Sequence, residues 1–179
     1  TLAYGDMVRI RTNVGFGQLI RNVHRWSAHL MVLAVTLHLI RVFLHGAYKA
    51  PREFNWVIGV GLYVVTLLYS FTGYLLPWDQ LSYWAVTVGT DLLRYVPVVG
   101  LAMRDYVLGG PRIGQSTLLR FYVLHVMVLT VAFFTLMAVH IWRVRKDGFA
   151  VGDRIDEAST VRRRGRVTPT PVAATLAAE

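Results

Sequence analysis

The sequence predicts an all-α membrane protein with three transmembrane helices and a helical segment lying on the membrane surface. Three observations carry that expectation. Of 179 residues, 55% are hydrophobic, above the share of an ordinary soluble domain. Charge vanishes from three stretches: 26–44 holds only His29, His38 and Arg41 as ionisable groups, 54–78 holds no charged residue or histidine, and 121–142 holds only His125 and His140. Each stretch is long enough to cross a hydrocarbon core of about 30 Å. Finally, four of the six histidines form two pairs in or at the edge of two of these runs, His24/His38 and His125/His140, spaced 14 and 15 residues apart.

Residues 1–23 alternate Asp6, Arg9, Arg11 and Arg21 with Met7, Val8, Ile10, Phe16 and Leu19. They are too polar to span and read as an interfacial connector, bent at Gly15 and Gly17. The first span is expected over about 26–45. It continues apolar for a full crossing and holds candidate ligands, so it reads as a span and not as a cleavable leader. Gly46 and Pro51, with Lys49 between them, close it in a short turn. The second span is expected over about 54–76, ended by Pro77, with Gly59 and Gly73 set 14 residues apart, the interval of the first histidine pair. Residues 79–114 mix aromatic, apolar and charged side chains and are broken by Pro97, Gly109, Gly110 and Pro111. That pattern suits surface helices at about 80–110. The third span is expected from a cap at Ser116 to about Arg143. Residues 24–148 thus form one transmembrane domain. The Ser/Thr/Pro/Ala-rich, basic 149–179 is expected to be a disordered tail.

At 1.5 Å per residue the paired histidines are separated by about 21 and 22 Å, close to a whole number of turns. Two facing helices bearing such pairs offer two sites of two imidazoles, one near each side of the bilayer. Both helices start on the side of residues 79–114, so His24 is expected opposite His125 and His38 opposite His140. Two haems bound this way would be electron carriers, because both axial positions are filled and none is left for oxygen. Glycine at positions 59 and 73 would remove side chains that collide with a ring plane. Arg21 lies three residues before His24 and Arg41 three after His38. Each is placed to hold haem propionates, with Arg25 and Arg120 flanking the first level. His29 and His45 fall outside this register and read as packing or interfacial residues. The aromatic surface around Pro77, Trp78, Tyr83 and Trp84 could wall a quinol pocket. Arg143, Arg145 and Lys146 would favour an anionic ligand at the other level.

The chain has no cysteine, which excludes disulfides, iron–sulfur ligation and thioether-linked haem within it, so any haem is non-covalent. The net charge of +9 does not point to nucleic acid. Its positive residues follow the first and third spans, at Arg41, Lys49, Arg52, Arg143, Arg145, Lys146, Arg154 and Arg162 to Arg166. Three spans put both regions on one side, where the positive-inside rule and anionic lipid place them and the C-terminus on the cytoplasmic face.

The runs Arg21-Asn22-Val23-His24-Arg25-Trp26-Ser27-Ala28, Gly73-Tyr74-Leu75-Leu76-Pro77-Trp78-Asp79-Gln80 and Gly114-Gln115-Ser116-Thr117-Leu118-Leu119-Arg120-Phe121-Tyr122 resemble the amino-terminal, haem-bearing half of cytochrome b in Rieske/cytochrome b quinol:cytochrome reductases. The resemblance covers about residues 4–148, and the 14/15 spacing is similar to the b6 branch, whose second pair is one residue wider than in the mitochondrial type. It implies a cytochrome b-type di-haem bundle with two non-covalent b haems, the low-potential one on His24 and His125 and the high-potential one on His38 and His140. It assigns Gly59 and Gly73 to haem contact, Arg21 and Arg41 to propionates, and the surroundings of Tyr83 and Trp84 to quinol oxidation. It further implies bifurcated oxidation coupled to proton translocation. One electron passes to a Rieske iron–sulfur protein and onward to a c-type cytochrome or equivalent acceptor. The other crosses the haems to a quinone. The implied setting is a homodimeric complex in an energy-transducing membrane, a bacterial inner membrane. Three departures accompany the resemblance. The family's first span does not precede this region, so three of the usual four are expected here. No Pro-Glu-Trp-Tyr motif is present, which implies a separate subunit like subunit IV for the carboxy-terminal half. The tail has no counterpart. The competing reading is a di-haem membrane anchor of another quinone-linked oxidoreductase, which should lack the proline–tryptophan motif and the surface segment.

Overall fold

The computed structural model describes residues 2–148; the tail 149–179, with Arg154 and the Arg162 to Arg166 cluster, lies outside the described residues. Among the described residues six main helices follow in order, α1 (Ala3–Asn13), α2 (Gly17–Leu44), α3 (Glu53–Leu75), α4 (Gln80–Asp91), α5 (Gly100–Leu108) and α6 (Gln115–Asp147), with a short 3-10 helix at Leu92–Tyr95 between α4 and α5. Among the described residues there is no strand. α2, α3 and α6 are long and apolar enough to cross a bilayer, so the protein is an integral membrane protein.

α1 is short, has no buried residue, and carries an exposed Asp6–Arg9 pair at 3.2 Å, as an interfacial helix should. The bend comes at Phe16, whose φ is +60°. Gly17 is buried, and a Cβ there would collide with the Ile10 carbonyl. Glycine therefore lets α2 start tightly against the end of α1. Nothing breaks the helix between Gly17 and Trp26, so the span begins upstream of its expected start. It closes at His45, whose N–H donates to the Arg41 carbonyl and whose Nδ1 sits 2.8 Å from the same oxygen.

α3 is the central helix, packing against both α2 and α6. Its threonines satisfy their hydroxyls internally, Thr66 on the Leu62 carbonyl and Thr72 on the Leu68 carbonyl, each at 2.8 Å. That removes the cost of a free hydroxyl in an apolar setting. After Pro77 the chain turns through Trp78 at φ +54°. Asp79 then caps α4, accepting from the Ser82 N–H at 2.8 Å and the Ser82 hydroxyl at 2.7 Å. These bonds hold its carboxyl below the usual carboxylate range. α4 and α5 fold over the end of the bundle, joined by Arg104, which bonds Asp91 at 2.8 Å and Asp105 at 3.2 Å. The apolar core sits there, where Leu75, Val86, Leu108 and Phe121 meet.

α6 is capped at Gly114, not Ser116: the Gly114 N–H donates to Thr117 Oγ1 at 3.1 Å, while Ser116 lies in the first turn and reaches the Leu108 carbonyl. The helix also runs one turn past Arg143. Between Leu124 and Val128 it widens into a π-turn, where the Leu129 N–H donates to the Leu124 carbonyl and the Thr130 hydroxyl to the His125 carbonyl.

Candidate functional site

α2 and α6 run in the same direction, with α3 reversed between them. Among the described residues no Cα of α2 lies within 8 Å of one in α6, a separation wider than direct helix packing gives. Histidine rings face each other across that slot. His24 and His125 have centroids 6.3 Å apart with planes at 85°, and His38 and His140 are 6.4 Å apart at 86°. Each of these two α2 rings thus has one α6 ring as its neighbour. The π-turn accounts for the unequal spacings, because it contains His125 and absorbs one residue, so the 15-residue interval of α6 keeps the register of the 14-residue interval of α2.

The residues fit a haem at each level. A metal–imidazole bond of about 2.0 Å, with a nitrogen about 1.1 Å from its ring centroid, would put two rings held by one ion up to about 6.2 Å apart. Both levels match that spacing, and neither places a third metal-binding side chain beside the pair among the described residues. A porphyrin would supply the remaining four nitrogens.

Gly59 and Gly73 lie at the two levels, but what each abuts is an imidazole. A Cβ at Gly73 would sit 2.7 Å from His125 Cε1, and one at Gly59 would sit 3.4 Å from His140 Cε1. The glycines thus let the α6 rings settle against α3. The first level is the better furnished. His125 Nδ1 lies 3.0 Å from the Thr72 hydroxyl, and the Tyr69 ring stands edge-on at 5.0 Å, its own hydroxyl bonded to Thr130. At the second level His140 Nδ1 and the Asn55 side-chain oxygen are both buried without a hydrogen-bond partner.

Tyr69, Thr72, Thr130 and Asn55 were not marked by sequence reasoning. Thr72 had one available signal, its position immediately before Gly73.

Of the expected propionate ligands, Arg21 is half-buried, while Arg25 and Arg41 are exposed. Arg120 departs from the expectation. Its guanidinium donates to the Tyr106 carbonyl, stacks over the Tyr106 ring at 5.3 Å, and fills the space beside Gly109. It ties α6 to α5, because Gly109 at φ +77° leaves room for it at the end of α5. His29 stacks edge-on with Trp26 at 5.9 Å and, like His45, stays outside the site. Arg143 pairs with Asp147 at 2.9 Å and lies over Phe54.

Five positions after Gly73, an open pocket of about 360 Å³ is lined by Trp78, Asp79, Gln80, Tyr83 and Trp84. Tyr83 and Trp84 meet edge to face at 5.8 Å. The volume falls in the range of small-molecule sites, and the lining combines flat aromatic walls with a few polar groups.

The chain is similar to known proteins in sequence and in fold. The family model described as Cytochrome b(N-terminal)/b6/petB matches residues 29–177. Cytochrome b6 of Prochlorococcus marinus (strain AS9601) is 47% identical over 150 residues, covering 84% of this chain and 69% of that protein. Cytochrome b6 of Gracilaria tenuistipitata var. liui is 47% identical over 148 residues, covering 83% and 69%. Among solved structures, a chain of the Hyperthermophilic respiratory Complex III superposes with a TM-score of 0.76 at 31% identity, covering 83% of this chain and 40% of that one. The chain therefore spans about two fifths of the length of that subunit.

Proposed function

The chain belongs to the cytochrome b(N-terminal)/b6 family, and from that premise we propose that it is the subunit carrying electrons between two b haems across a membrane in a quinol-oxidising complex. The observation that carries this reading is the pair of imidazole couples at 6.3 and 6.4 Å, held at two levels by helices whose Cα atoms stay more than 8 Å apart among the described residues. His24 and His125 would hold one haem and His38 and His140 the other. These residues would hold the group, which when bound would supply a one-electron couple.

The remaining roles belong to the chain's own side chains. Arg21 and Arg41 lie beyond the two levels, where a guanidinium can offset propionate charge by paired hydrogen bonds. Arg25 can do the same at the first level from its exposed position. The pocket of Trp78, Asp79, Gln80, Tyr83 and Trp84 would receive a quinol head group, with aromatic faces to orient the ring and polar groups to meet its hydroxyls. Its nearness to Gly73 and His125 makes the first-level site the entry point for the electron that crosses the membrane.

This subunit works with others. A Rieske iron–sulfur protein would take the first electron and pass it to a c-type cytochrome or equivalent acceptor. A separate subunit like subunit IV would complete the quinol site, within a homodimeric assembly. The membrane is an energy-transducing one, with Lys49, Arg52, Arg145 and Lys146 on the cytoplasmic face. A reduced-minus-oxidised spectrum of the purified complex tests the core of the proposal. It should show a b-type α-band that titrates as two components of comparable amplitude. A single component, or none, would defeat it. Loss of one component in each of His125→Leu and His140→Leu would locate the two sites.

A further inference from the structure

We propose that Thr72 is a positioning residue that fixes His125 as an Nε2 ligand and makes the His24/His125 site the harder of the two to reduce. The inference rests on the haem reading above and extends it to the origin of the difference between the two sites.

The argument starts from one proton. A threonine hydroxyl has a single hydrogen to donate, and the Thr72 hydroxyl lies 2.8 Å from the Leu68 carbonyl one turn earlier. That carbonyl can only accept. With the hydroxyl hydrogen on that carbonyl, the 3.0 Å contact between Thr72 Oγ1 and His125 Nδ1 is the ring N–H donating to the hydroxyl oxygen, as it is whenever Nε2 meets a metal and Nδ1 keeps the ring proton. A neutral imidazole protonated at Nδ1 has its lone pair at Nε2, the nitrogen free to meet a metal. Thr72 is 1% exposed, so water does not compete for either bond.

The second level lacks this device. Gly59 stands to His140 as Gly73 stands to His125, and both glycines lie on α3, 14 residues apart. The residue preceding Gly73 is Thr72; the residue preceding Gly59 is Ile58. Ile58 offers no oxygen, and His140 Nδ1 is buried without a partner. At the position before the glycine of one helical register, the two sites thus differ by a hydroxyl group. A ligand imidazole that donates a hydrogen bond from its far nitrogen becomes more basic at the near one. Greater donation favours the more positive, oxidised metal, so the site with Thr72 should hold the lower potential.

The test uses the purified holo-complex and redox titration of both b components, with low-temperature electron paramagnetic resonance of the oxidised haems as a second reading. Thr72→Val keeps the shape and removes the oxygen. It should raise the reduced-to-oxidised ratio of the lower component about tenfold at a fixed potential, about 59 mV for one electron, and leave the upper component in place. Thr72→Ser should restore the original value. Ile58→Thr provides an independent reading from the other site, where a hydroxyl should lower the upper component. The inference is overturned if both haems are present and Thr72→Val moves neither component, or moves both alike, or if Ile58→Thr leaves the upper component where it was. Absence of two b components from the unmodified complex would instead remove the haem reading on which the inference stands.

Discussion

Replacing Gly73 with alanine should empty the first-level site, while the same change at Gly59 should be tolerated. A Cβ at Gly73 would lie 2.7 Å from His125 Cε1 and 3.3 Å from both ring nitrogens. The ring has little freedom to withdraw, since the Thr72 hydroxyl holds Nδ1 at 3.0 Å and the Tyr69 ring stands at 5.0 Å on another side. Backing away breaks the Nδ1 bond, and a buried donor left unmatched costs about 1–3 kcal/mol. Staying imposes overpacking of about the same size. Either route costs about 1–3 kcal/mol, which at 1.4 kcal/mol per decade is a roughly five- to hundredfold loss of affinity for the group that needs the ring in place. At Gly59 the nearest ring atom would be 3.4 Å from the new methyl and the next 3.9 Å, close to ordinary contact. There the gain of about 0.5–1 kcal/mol from removing a mid-helix glycine offsets the squeeze. The assay is haem content per complex by pyridine haemochrome, together with redox titration of the two b components. Gly73→Ala should lose the lower component and keep the upper; Gly59→Ala should keep both. Equal loss in the two variants, or full retention of both components in Gly73→Ala, would refute the claim that clearance for the imidazole is what the glycines provide.

Deleting Met127, an exposed residue of the π-turn, should convert the turn to regular helix, set the α6 histidines 14 apart and leave both b components in the spectrum. Inserting an alanine after Met127 should rotate His125 by about 100° and abolish the lower component. Tyr83→Ala opens the aromatic wall of the surface pocket; steady-state assays should give about a tenfold rise in KM for quinol with both midpoint potentials unchanged. Asp79→Ala removes the cap of α4 and should lower its local stability by about 1 kcal/mol, read by amide exchange at Ser82 and Tyr83. The Asp79 carboxyl is held below its usual range by the Ser82 N–H and hydroxyl. Its folded pKa is depressed, so its contribution is fully present above the unfolded value and is lost as pH falls through the folded one, beginning below about pH 4. Asp79→Asn, which can still cap, should show no such acid dependence in the same exchange measurement.

The parts of the site that could be read from sequence are those set by helical periodicity. Fourteen residues is nearly four turns, so His24 and His38 share a face of α2 in any helix of this composition, and Gly59 and Gly73 share one on α3. The three spans follow likewise from runs without charge. The bend at Gly15 and Gly17 was legible, but the start of α2 was not, since Gln18 to Val23 can continue a helix or precede one, and packing of Gly17 on Ile10 decides it. Ser116 carried the better capping chemistry, yet Gly114 is the cap because its extended backbone lets Thr117 accept its N–H. Arg120 has the charge to serve a propionate, but the carbonyl of Tyr106 and the space beside Gly109 claim it first. Thr72 and Tyr69 were silent for a related reason. A hydroxyl on an apolar helix ordinarily bonds back to its own backbone, and only the position of the neighbouring helix reveals that one of them also meets a histidine.

The unequal histidine spacings, 14 on α2 and 15 on α6, pose a geometric problem that the third helix resolves. Two helices running in the same direction can offer matched rings at two depths only if each advances by the same rotation between its histidines. Fifteen residues of regular helix would turn about 100° further than fourteen, and the lower pair would not face. The π-turn at Leu124–Val128 absorbs the extra residue at His125 itself, with the Thr130 hydroxyl donating to the His125 carbonyl. Meanwhile α3, antiparallel and with its own 14-residue glycine interval, sets a ruler against which both α6 rings are seated. The extra residue therefore adjusts the side chain of one histidine without disturbing the other three. That placement also puts Thr130 under the Tyr69 hydroxyl and Tyr69 beside the ring, so the local widening and the polar surroundings of His125 form one arrangement. A variant that removes the bulge tests whether that arrangement serves spacing alone. If deletion of Met127 keeps both haems but raises the potential of the lower one, the widened turn would be a device for presenting His125 to Thr72 as much as a correction of register.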